Sequence, residues 1–230
     1  MPRDVGVVIV AAGQGTRAGG EVPKQFRPIG GVPLVLRALR PFTAHPEVAA
    51  VSLVLPAADA AAPPAWLREL AGGMLALVAG GAERRDSVRA GLRALPPQCR
   101  TVLVHDGARP FVARPLIDAV LARAREGVGA VPAVRVSDSL KEADADGCVV
   151  RTVPRHQLWR AQTPQGFPRE LLERAYAEPG VAEATDDAAL VERVGGEVYL
   201  VPGSSRNIKV TTPEDLQMAE LLARDGAREM

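Results

Sequence analysis

Hydrophobic residues along this 230-residue chain alternate between short continuous runs and stretches with helical spacing. The continuous runs predict strands, and the spaced stretches predict amphipathic helices between them. Strands are predicted at Val5–Val10, Val48–Leu55, Met74–Val78, Thr101–Val104 and Val128–Val134, and helices at Leu34–Thr43, Pro64–Ala71, Asp86–Leu95 and Pro115–Glu126. Apolar strands that alternate with helices are typical of a parallel sheet covered on both faces. We therefore expect an α/β, Rossmann-like fold with a mostly parallel sheet.

The alternation stops after Val134, because residues 136–153 show no helical period. Two short extended segments flank residues 144–147, which end in Asp146-Gly147, and an Asp-Gly pair is a strong hairpin signal. We predict a β-hairpin arm that projects from the sheet. An isolated hairpin is marginally stable in water, so we expect the arm to pack on a partner chain in a homodimer. The alternative is an ordinary hairpin that lies on its own domain.

The last third of the chain returns to helices, predicted at Pro168–Glu178, Asp186–Val194 and Leu216–Arg224. Thr212 as N-cap, followed by Pro213 at the first helical position, marks the start of the last helix. The Ala- and Pro-rich segment Ala57–Pro64 is predicted to be an exposed loop, and residues 205–210 to be a short strand-like piece. The length fits one domain over residues 1–230, with the arm at about 136–153.

A glycine-rich loop, Ala11 to Gln25, follows the first strand directly and carries one Arg and one Lys. Bare backbone N–H groups and nearby cations together form a seat for phosphate groups. Lys24 stands between Pro23 and Gln25, so the Gly-Lys-Ser/Thr of a Walker loop is absent. The loop also lacks the helix that must follow a dinucleotide fingerprint. The alternative to a phosphate site is a flexible surface loop.

Composition narrows the possible functions. A net charge of +1 argues against a general nucleic-acid or membrane surface, and 3% aromatic residues supply few platforms for base stacking. Cys99 and Cys148 lie far apart in sequence and suggest neither a zinc site nor a disulfide framework. No apolar run is long enough to span a bilayer, and Met1 is too close to the first strand for a signal peptide, so we expect a cytoplasmic protein.

Lysine is rare in this chain, since it occurs only at positions 24, 141 and 209 among 28 Lys and Arg residues. A chain that prefers Arg for general positive charge can retain Lys where a compact ammonium is needed. Two of the three lysines lie in segments already singled out above: Lys24 in the glycine-rich loop and Lys209 in the strand-like piece at residues 205–210. The alternative is that lysine occurs at these positions by chance.

Further polar residues follow other strands. Asp106 precedes Gly107 and Arg109, so its carboxylate could bind a ribose hydroxyl, a substrate hydroxyl or a metal, or could pair with Arg109. Gly80–Val88 is a second strand-to-helix crossing with glycines, where backbone groups could recognise a base. The three histidines lack metal-ligand spacing, and we expect them to be structural.

These motifs carry a resemblance to a known family. The loop G-x-G-T-R followed by P-K-Q resembles the signature of nucleotidyltransferases that act on sugar or polyol phosphates. Gly80–Val88, His105–Pro110, Trp159–Gln165 and Asn207–Thr211 narrow the resemblance. From Val5 to about Leu222 the chain is similar to the cytidylyltransferases of 2-C-methyl-D-erythritol 4-phosphate in the non-mevalonate isoprenoid pathway. The first motif is shared by many families, whereas the ordered set is specific.

The resemblance implies a reaction and a set of site residues. CTP and 2-C-methyl-D-erythritol 4-phosphate would give the CDP-alcohol and pyrophosphate, with Mg²⁺ held mainly through the CTP phosphates and not by dedicated protein ligands. Arg17 and Lys24 match cations that stabilise the transition state, and Arg155 and Lys209 match cations that position the substrate phosphate. CTP-binding positions are Ala11, Ala12, Gly13, Gly15, Gly81, Ala82, Ser87 and Asp106, and substrate-binding positions are Asp106, Arg109, Ser139, Arg155, Thr163 and Lys209.

Two positions depart from the family pattern, because Ala82 replaces an Asp and Ser139 replaces a Thr of some relatives. The reaction itself suits a chain without an evident general base, since a phosphate monoester is already anionic near neutral pH and cations offset the charge repulsion. Three alternatives remain from the sequence: a cytidylyltransferase for another polyol phosphate such as ribitol 5-phosphate, a guanylyl- or uridylyltransferase, and a nucleotide-binding regulator without catalysis.

Overall fold

A computed structural model describes residues 3–13, 22–178 and 184–226. Its strands are β1 (Val5–Val10), β2 (Pro28–Ile29), β3 (Val32–Pro33), β4 (Val48–Leu55), β5 (Leu75–Ala79), β6 (Thr101–Asp106), β7 (Gly129–Arg135), β8 (Leu140–Ala143), β9 (Val149–Val153), β10 (Trp159–Ala161), β11 (Gln165–Pro168) and β12 (Val198–Pro202). Its helices are α1 (Leu34–Thr43), α2 (Ala57–Ala61), α3 (Ala65–Leu70), α4 (Arg84–Ala94), α5 (Arg114–Ala124), α6 (Arg169–Ala177), α7 (Asp187–Arg193) and α8 (Pro213–Gly226), with a 3₁₀ turn at Lys24–Phe26.

The main sheet has eight strands in the order β10-β7-β11-β6-β1-β4-β5, with β12 also paired to β7. β1 lies between β4 and β6 and is parallel to both, and β5 and β12 are parallel to their neighbours. β11 runs antiparallel to β6 and β7, and β10 antiparallel to β7. The sheet is therefore mixed but mostly parallel, as the apolar strands predicted.

Side chains of the central strand divide between two cores, because successive residues of a strand point to opposite faces. Val7 packs in a core with residues of α1 and α5, whereas Val8 packs in a second core with residues of α4, α6 and α7. Helices therefore cover both faces of the sheet. A third, smaller cluster joins Ile29 and Leu34 to α8.

Three local predictions were wrong or incomplete. Ala57–Ala61 forms a short exposed helix instead of a loop, because alanine has the strongest helix propensity. Residues 205–210 form no strand; hydrogen bonds of the Asn207 side chain and neighbouring backbone shape them instead. Strands β10, β11 and β12 were not predicted, since two of them are only three or four residues long and all depend on β6 or β7 for pairing.

The predicted hairpin is present, and β8 and β9 pair antiparallel with each other and with no other described strand. Its turn has Gly147 at φ +83°, where a side chain would be strained. The Asp144 carboxylate accepts hydrogen bonds from the backbone of Asp146 and Cys148. The turn chemistry therefore accounts for the hairpin, while its contact with a partner stays a prediction.

In the part of the chain that the structure describes, no helix is both long enough and apolar enough to cross a membrane.

Candidate active site

A cleft of about 380 Å³ opens at the carboxyl ends of the parallel strands. Val10 and Asp106 are neighbours in register at the ends of β1 and β6. The cleft is lined by Val10, Ala11, Ala12, Gly13, Lys24, Gln25, Leu34, Gly81, Ala82, Glu83, Arg84, Ser87, Asp106, Gly107, Ala108, Lys209 and Thr211. Ligands of open α/β sheets bind at this end of the strands, so the cleft is the candidate active site.

Two glycines let the loops of the cleft approach closely. A Cβ on Gly107 would lie 2.9 Å from the Cβ of Ala11 and 3.1 Å from the carbonyl oxygen of Val10. A Cβ on Gly80 would lie 2.5 Å from the Cβ of Ala12. Larger residues would separate the loops, so glycine at these positions lets the loops pack closely.

Lys24 is held at the cleft by the 3₁₀ turn at the end of the glycine-rich loop. Its Nζ donates to the carbonyl oxygen of Val210 at 2.9 Å. The adjacent Gln25 is buried, and its Nε2 donates to Asp59 of α2 at 2.9 Å. The turn is thereby tied both to the 209–211 segment and to the helix that follows β4.

Asp106 lies among three cations. Lys209 Nζ is 2.8 Å from Asp106 Oδ2, Arg109 Nε is 3.7 Å from the same oxygen, and Arg84 Nη2 is 3.7 Å from Oδ1. Burial alone would raise the pKa of Asp106, but Lys209 and Arg84, with a smaller part from Arg109, hold it below its usual value. The site therefore keeps an ionised carboxylate inside a positively charged cleft.

Thr163 and His105 support Asp106 from behind. The backbone N–H of Asp106 donates to Thr163 Oγ1 at 3.0 Å, and His105 Nε2 lies 3.0 Å from the carbonyl oxygen of Arg109. A carbonyl only accepts, so Nε2 carries the proton and Nδ1 accepts from the Thr163 hydroxyl at 3.0 Å. Burial lowers the pKa of His105 to about 4, which keeps the ring neutral and the hydrogen bonds in this direction.

The loop that carries Lys209 is fixed by buried amides. Asn207 Nδ2 donates to the carbonyl oxygen of Thr163 at 2.8 Å, and Arg109 Nη1 donates to the carbonyl oxygen of Asn207 at 2.7 Å. Gln162 exchanges hydrogen bonds with the backbone of Ser204 at 2.8 and 3.1 Å. Lys209 is thus positioned relative to Asp106 although its own ammonium is partly exposed.

Comparison with known proteins identifies the family. A family model for 2-C-methyl-D-erythritol 4-phosphate cytidylyltransferase matches residues 5–225. The chain belongs to this family. It is 46% identical to the bifunctional enzyme IspD/IspF of Rhodospirillum rubrum, covering 96% of this chain and 57% of that protein. It is also 46% identical to the 2-C-methyl-D-erythritol 4-phosphate cytidylyltransferase of Frankia casuarinae, covering 96% of this chain and 82% of that protein.

Solved structures agree with the family assignment. The 2-C-methyl-D-erythritol 4-phosphate cytidylyltransferase of Thermus thermophilus superposes with a TM-score of 0.78 at 39% identity, covering 95% of this chain and 98% of that one. The 4-diphosphocytidyl-2C-methyl-D-erythritol synthase of Anaerococcus prevotii superposes with a TM-score of 0.81 at 29% identity, covering 96% and 98%. The chain spans little more than half the length of its bifunctional relatives.

The structure brings together many of the residues that the resemblance to cytidylyltransferases indicated. Those that line the cleft are Ala11, Ala12, Gly13, Lys24, Gly81, Ala82, Ser87, Asp106 and Lys209. Arg109 and Thr163 lie behind Asp106, and the hydroxyl of Thr163 is used by the two protein partners described above. Ser139 and Arg155 are exposed at the base of the arm, outside the cleft lining. Gly15 and Arg17 lie outside the described residues.

Arg84 is the cationic residue of the cleft that the sequence interpretation missed. It is the first residue of α4, and its guanidinium contacts both Asp106 and the buried Asp187. The signal was available, since Arg84 falls inside Gly80–Val88, the crossing whose backbone groups were expected to recognise a base. Its partner Asp187 lies 103 residues away in sequence, so no local pattern indicated the pair.

Proposed function

We propose that this chain transfers a cytidylyl group from CTP to 2-C-methyl-D-erythritol 4-phosphate, giving 4-diphosphocytidyl-2-C-methyl-D-erythritol and pyrophosphate. The observation that carries the proposal is the cluster of Lys209, Arg84 and Arg109 around Asp106, with Lys24 lining the same glycine-lined cleft. This site occurs in a chain of the cytidylyltransferase family, whose members are nucleotidyltransferases.

The proposed chemistry needs charge stabilisation more than proton transfer. A phosphate oxygen of the alcohol phosphate attacks the α-phosphorus of CTP, and the bond from that phosphorus to the β-phosphate oxygen breaks to release pyrophosphate. The nucleophile is anionic already, so no general base is required. Lys24, together with Arg17 by family resemblance, would stabilise the charge that develops on the reacting phosphates. Lys209 would position the alcohol phosphate, since its ammonium keeps donors beyond the one facing Asp106.

We propose that Mg²⁺ joins this site mainly through the CTP phosphates. Among residues 3–13, 22–178 and 184–226, no group of three or more His, Cys, Asp and Glu side chains could hold a metal ion. Asp106 is an ionised carboxylate beside the cations of the cleft, and it would approach the ion directly or through water. When bound, Mg²⁺ would offset the negative charge of the triphosphate.

The hairpin arm supports a homodimer as part of this proposal. Its apolar residues Val149 and Val150 are 56% and 63% exposed, and Arg155 at its base is exposed as well. Among the described residues, the arm strands pair only with each other. A two-fold dimer would cover the arms, and each Arg155, with Ser139 on the other side of the arm's base, would serve the alcohol site of the neighbouring subunit.

Pyrophosphate release with CTP tests the proposed activity directly. Wild-type protein should turn over 2-C-methyl-D-erythritol 4-phosphate and should prefer it to ribitol 5-phosphate measured in parallel. Lys24→Ala should lower kcat by about 10²–10³ with a much smaller change in KM, as for loss of one donor to a developing charge. Arg93→Ala, an exposed cation on α4, is the matched control and should retain activity. A fully active Lys24→Ala protein would contradict the assignment.

Subunit mixing tests the role of the arm. Lys24→Ala and Arg155→Ala homodimers should each be nearly inactive. If Arg155 acts on the neighbouring site, a mixed dimer has one site that lacks both residues and one intact site, so activity partly returns. A verified heterodimer without recovery would show that Arg155 serves its own subunit.

A further inference from the structure

Arg84 lies between two carboxylates, one in the cleft and one behind it. Its Nη1 is 3.1 Å from Asp187 Oδ1 and its Nη2 is 2.7 Å from Asp187 Oδ2, which is a two-pronged contact. The same Nη2 is 3.7 Å from Asp106 Oδ1. The guanidinium is partly exposed and lines the cleft, whereas the Asp187 side chain is fully buried.

Tyr176 completes the buried group. Its hydroxyl, on the last turn of α6, donates to Asp187 Oδ1. A buried ion pair has to overcome the loss of hydration of both charges, and well-packed apolar residues often stabilise a fold equally well. Stability alone therefore gives little reason for a fully buried carboxylate at this position. Its geometry is informative instead, because the carboxylate fixes a cation that reaches the cleft.

Both helices that carry this contact are fixed at their first residues. Arg84 follows Glu83, whose backbone N–H donates to Asp86 in a capping box at the start of α4. At the start of α7, Gln165 of β11 is buried and contacts two neighbours of Asp187. Its Nε2 donates to Asp186 at 2.8 Å, and its Oε1 accepts from the backbone of Ala188 at 3.0 Å. Asp187 is thereby tied to the central sheet.

We propose that Asp187 and Tyr176 are positioning residues that hold the Arg84 guanidinium beside Asp106 on the nucleotide side of the cleft. This inference rests on the proposed function. Arg84 would hold Oδ1 of Asp106 while Lys209 and Arg109 hold Oδ2, so the carboxylate is fixed on both oxygens. A lysine at position 84 would not replace it, because an ammonium cannot make the two-pronged contact with Asp187.

The position of Arg84 in the cleft determines which substrate's kinetic constants should change in the variants. Arg84 lies between Gly81 and Ser87 in sequence, and all three line the cleft at positions that include the predicted cytidine contacts. Loss of Asp187 or Tyr176 should therefore lower the affinity for CTP and kcat/KM for CTP, while the KM for the alcohol phosphate should change less. A misplacement of about 1 Å in a catalytic site can cost about 10²-fold in rate.

The experiment measures pyrophosphate-release kinetics, CTP binding by calorimetry and thermal stability for Arg84→Gln, Asp187→Asn, Tyr176→Phe and the double variant Arg84→Gln/Asp187→Asn. We expect Arg84→Gln and Asp187→Asn each to lower kcat/KM for CTP by about 10- to 100-fold. Tyr176→Phe should give a smaller loss. The double variant should lose no more than Arg84→Gln alone, because Asp187 acts through Arg84. Arg93→Gln, with the same charge loss on the same helix, is the control.

A structural role alone predicts a different result. The variants would then melt earlier but keep wild-type kcat/KM and CTP affinity per folded molecule, and this outcome would overturn the inference. The inference would also be overturned if the loss of kcat/KM in the double variant equalled the product of the losses in the two single variants. If Asp187→Asn fails to fold, the milder Tyr176→Phe decides between these outcomes. Should the wild type release no pyrophosphate, the proposed function fails, while CTP affinities of the variants still test the positioning of Arg84.

Discussion

Replacement of Thr163 by valine tests whether this residue supports Asp106 or contacts substrate. Valine keeps the shape of threonine and exchanges the hydroxyl for a methyl group, so it creates no cavity. Thr163 is 5% exposed, and its hydroxyl accepts from the Asp106 backbone N–H and donates to His105 Nδ1. Both partners are buried and would lose their hydrogen bond.

The expected loss of stability follows from these two groups. A buried backbone donor without an acceptor costs about 1–3 kcal/mol, and the hydrogen bond to His105 is worth about 1 kcal/mol. The sum is about 2–4 kcal/mol. In a chain of 230 residues, 1 kcal/mol corresponds to about 2–4 °C in Tm, so a loss of about 3 kcal/mol lowers Tm by about 6–12 °C.

Urea unfolding and thermal melting of Thr163→Val measure this loss. Thr163→Ser retains the hydroxyl and should lose much less, so it serves as the control. A misplaced Asp106 should also lower kcat/KM for CTP in Thr163→Val. An unchanged Tm combined with a raised KM for the alcohol phosphate would refute this reasoning and would favour direct substrate contact by Thr163.

Three further outcomes follow from the site. Because burial holds the pKa of His105 at about 4 against an ordinary 6.5, the unfolded chain binds the proton first, so stability should fall by about 2 kcal/mol between pH 7 and pH 5; equal urea midpoints at the two pH values would contradict this. Gly107→Ala should lose about 1–3 kcal/mol through its 2.9 Å approach to Ala11, measured by urea unfolding, whereas Gly13→Ala, whose Cβ would meet no atom of the described residues within 4 Å, should unfold like the wild type. Mg²⁺ should bind the protein weakly without CTP, and tight binding to the free protein in calorimetry would argue for a dedicated metal site.

Several features of this protein were determined by local sequence. The bounds of β1, β4 and α1 match the hydrophobic pattern, because a buried strand and an amphipathic helix each need a continuous set of apolar positions. Thr212 caps α8 as predicted, and its hydroxyl accepts from the backbone of Asp215. The Asp146-Gly147 turn formed the hairpin for the same kind of reason, since the conformation that it needs is specified within four residues.

Tertiary structure alone decided how the site is supported. β11 runs between β6 and β7 because those strands offer it hydrogen bonds, and its own four residues carry too little pattern to predict this. The sequence marked Asp106 and Lys209 as chemically interesting, but their 2.8 Å contact depends on the loop that Gln162 and Asn207 hold in place. The pair of Arg84 and Asp187 depends likewise on the meeting of α4 and α7. Hydrophobic periodicity records which face of an element is buried, whereas polar contacts between distant elements exist only after the sheet has brought those elements together.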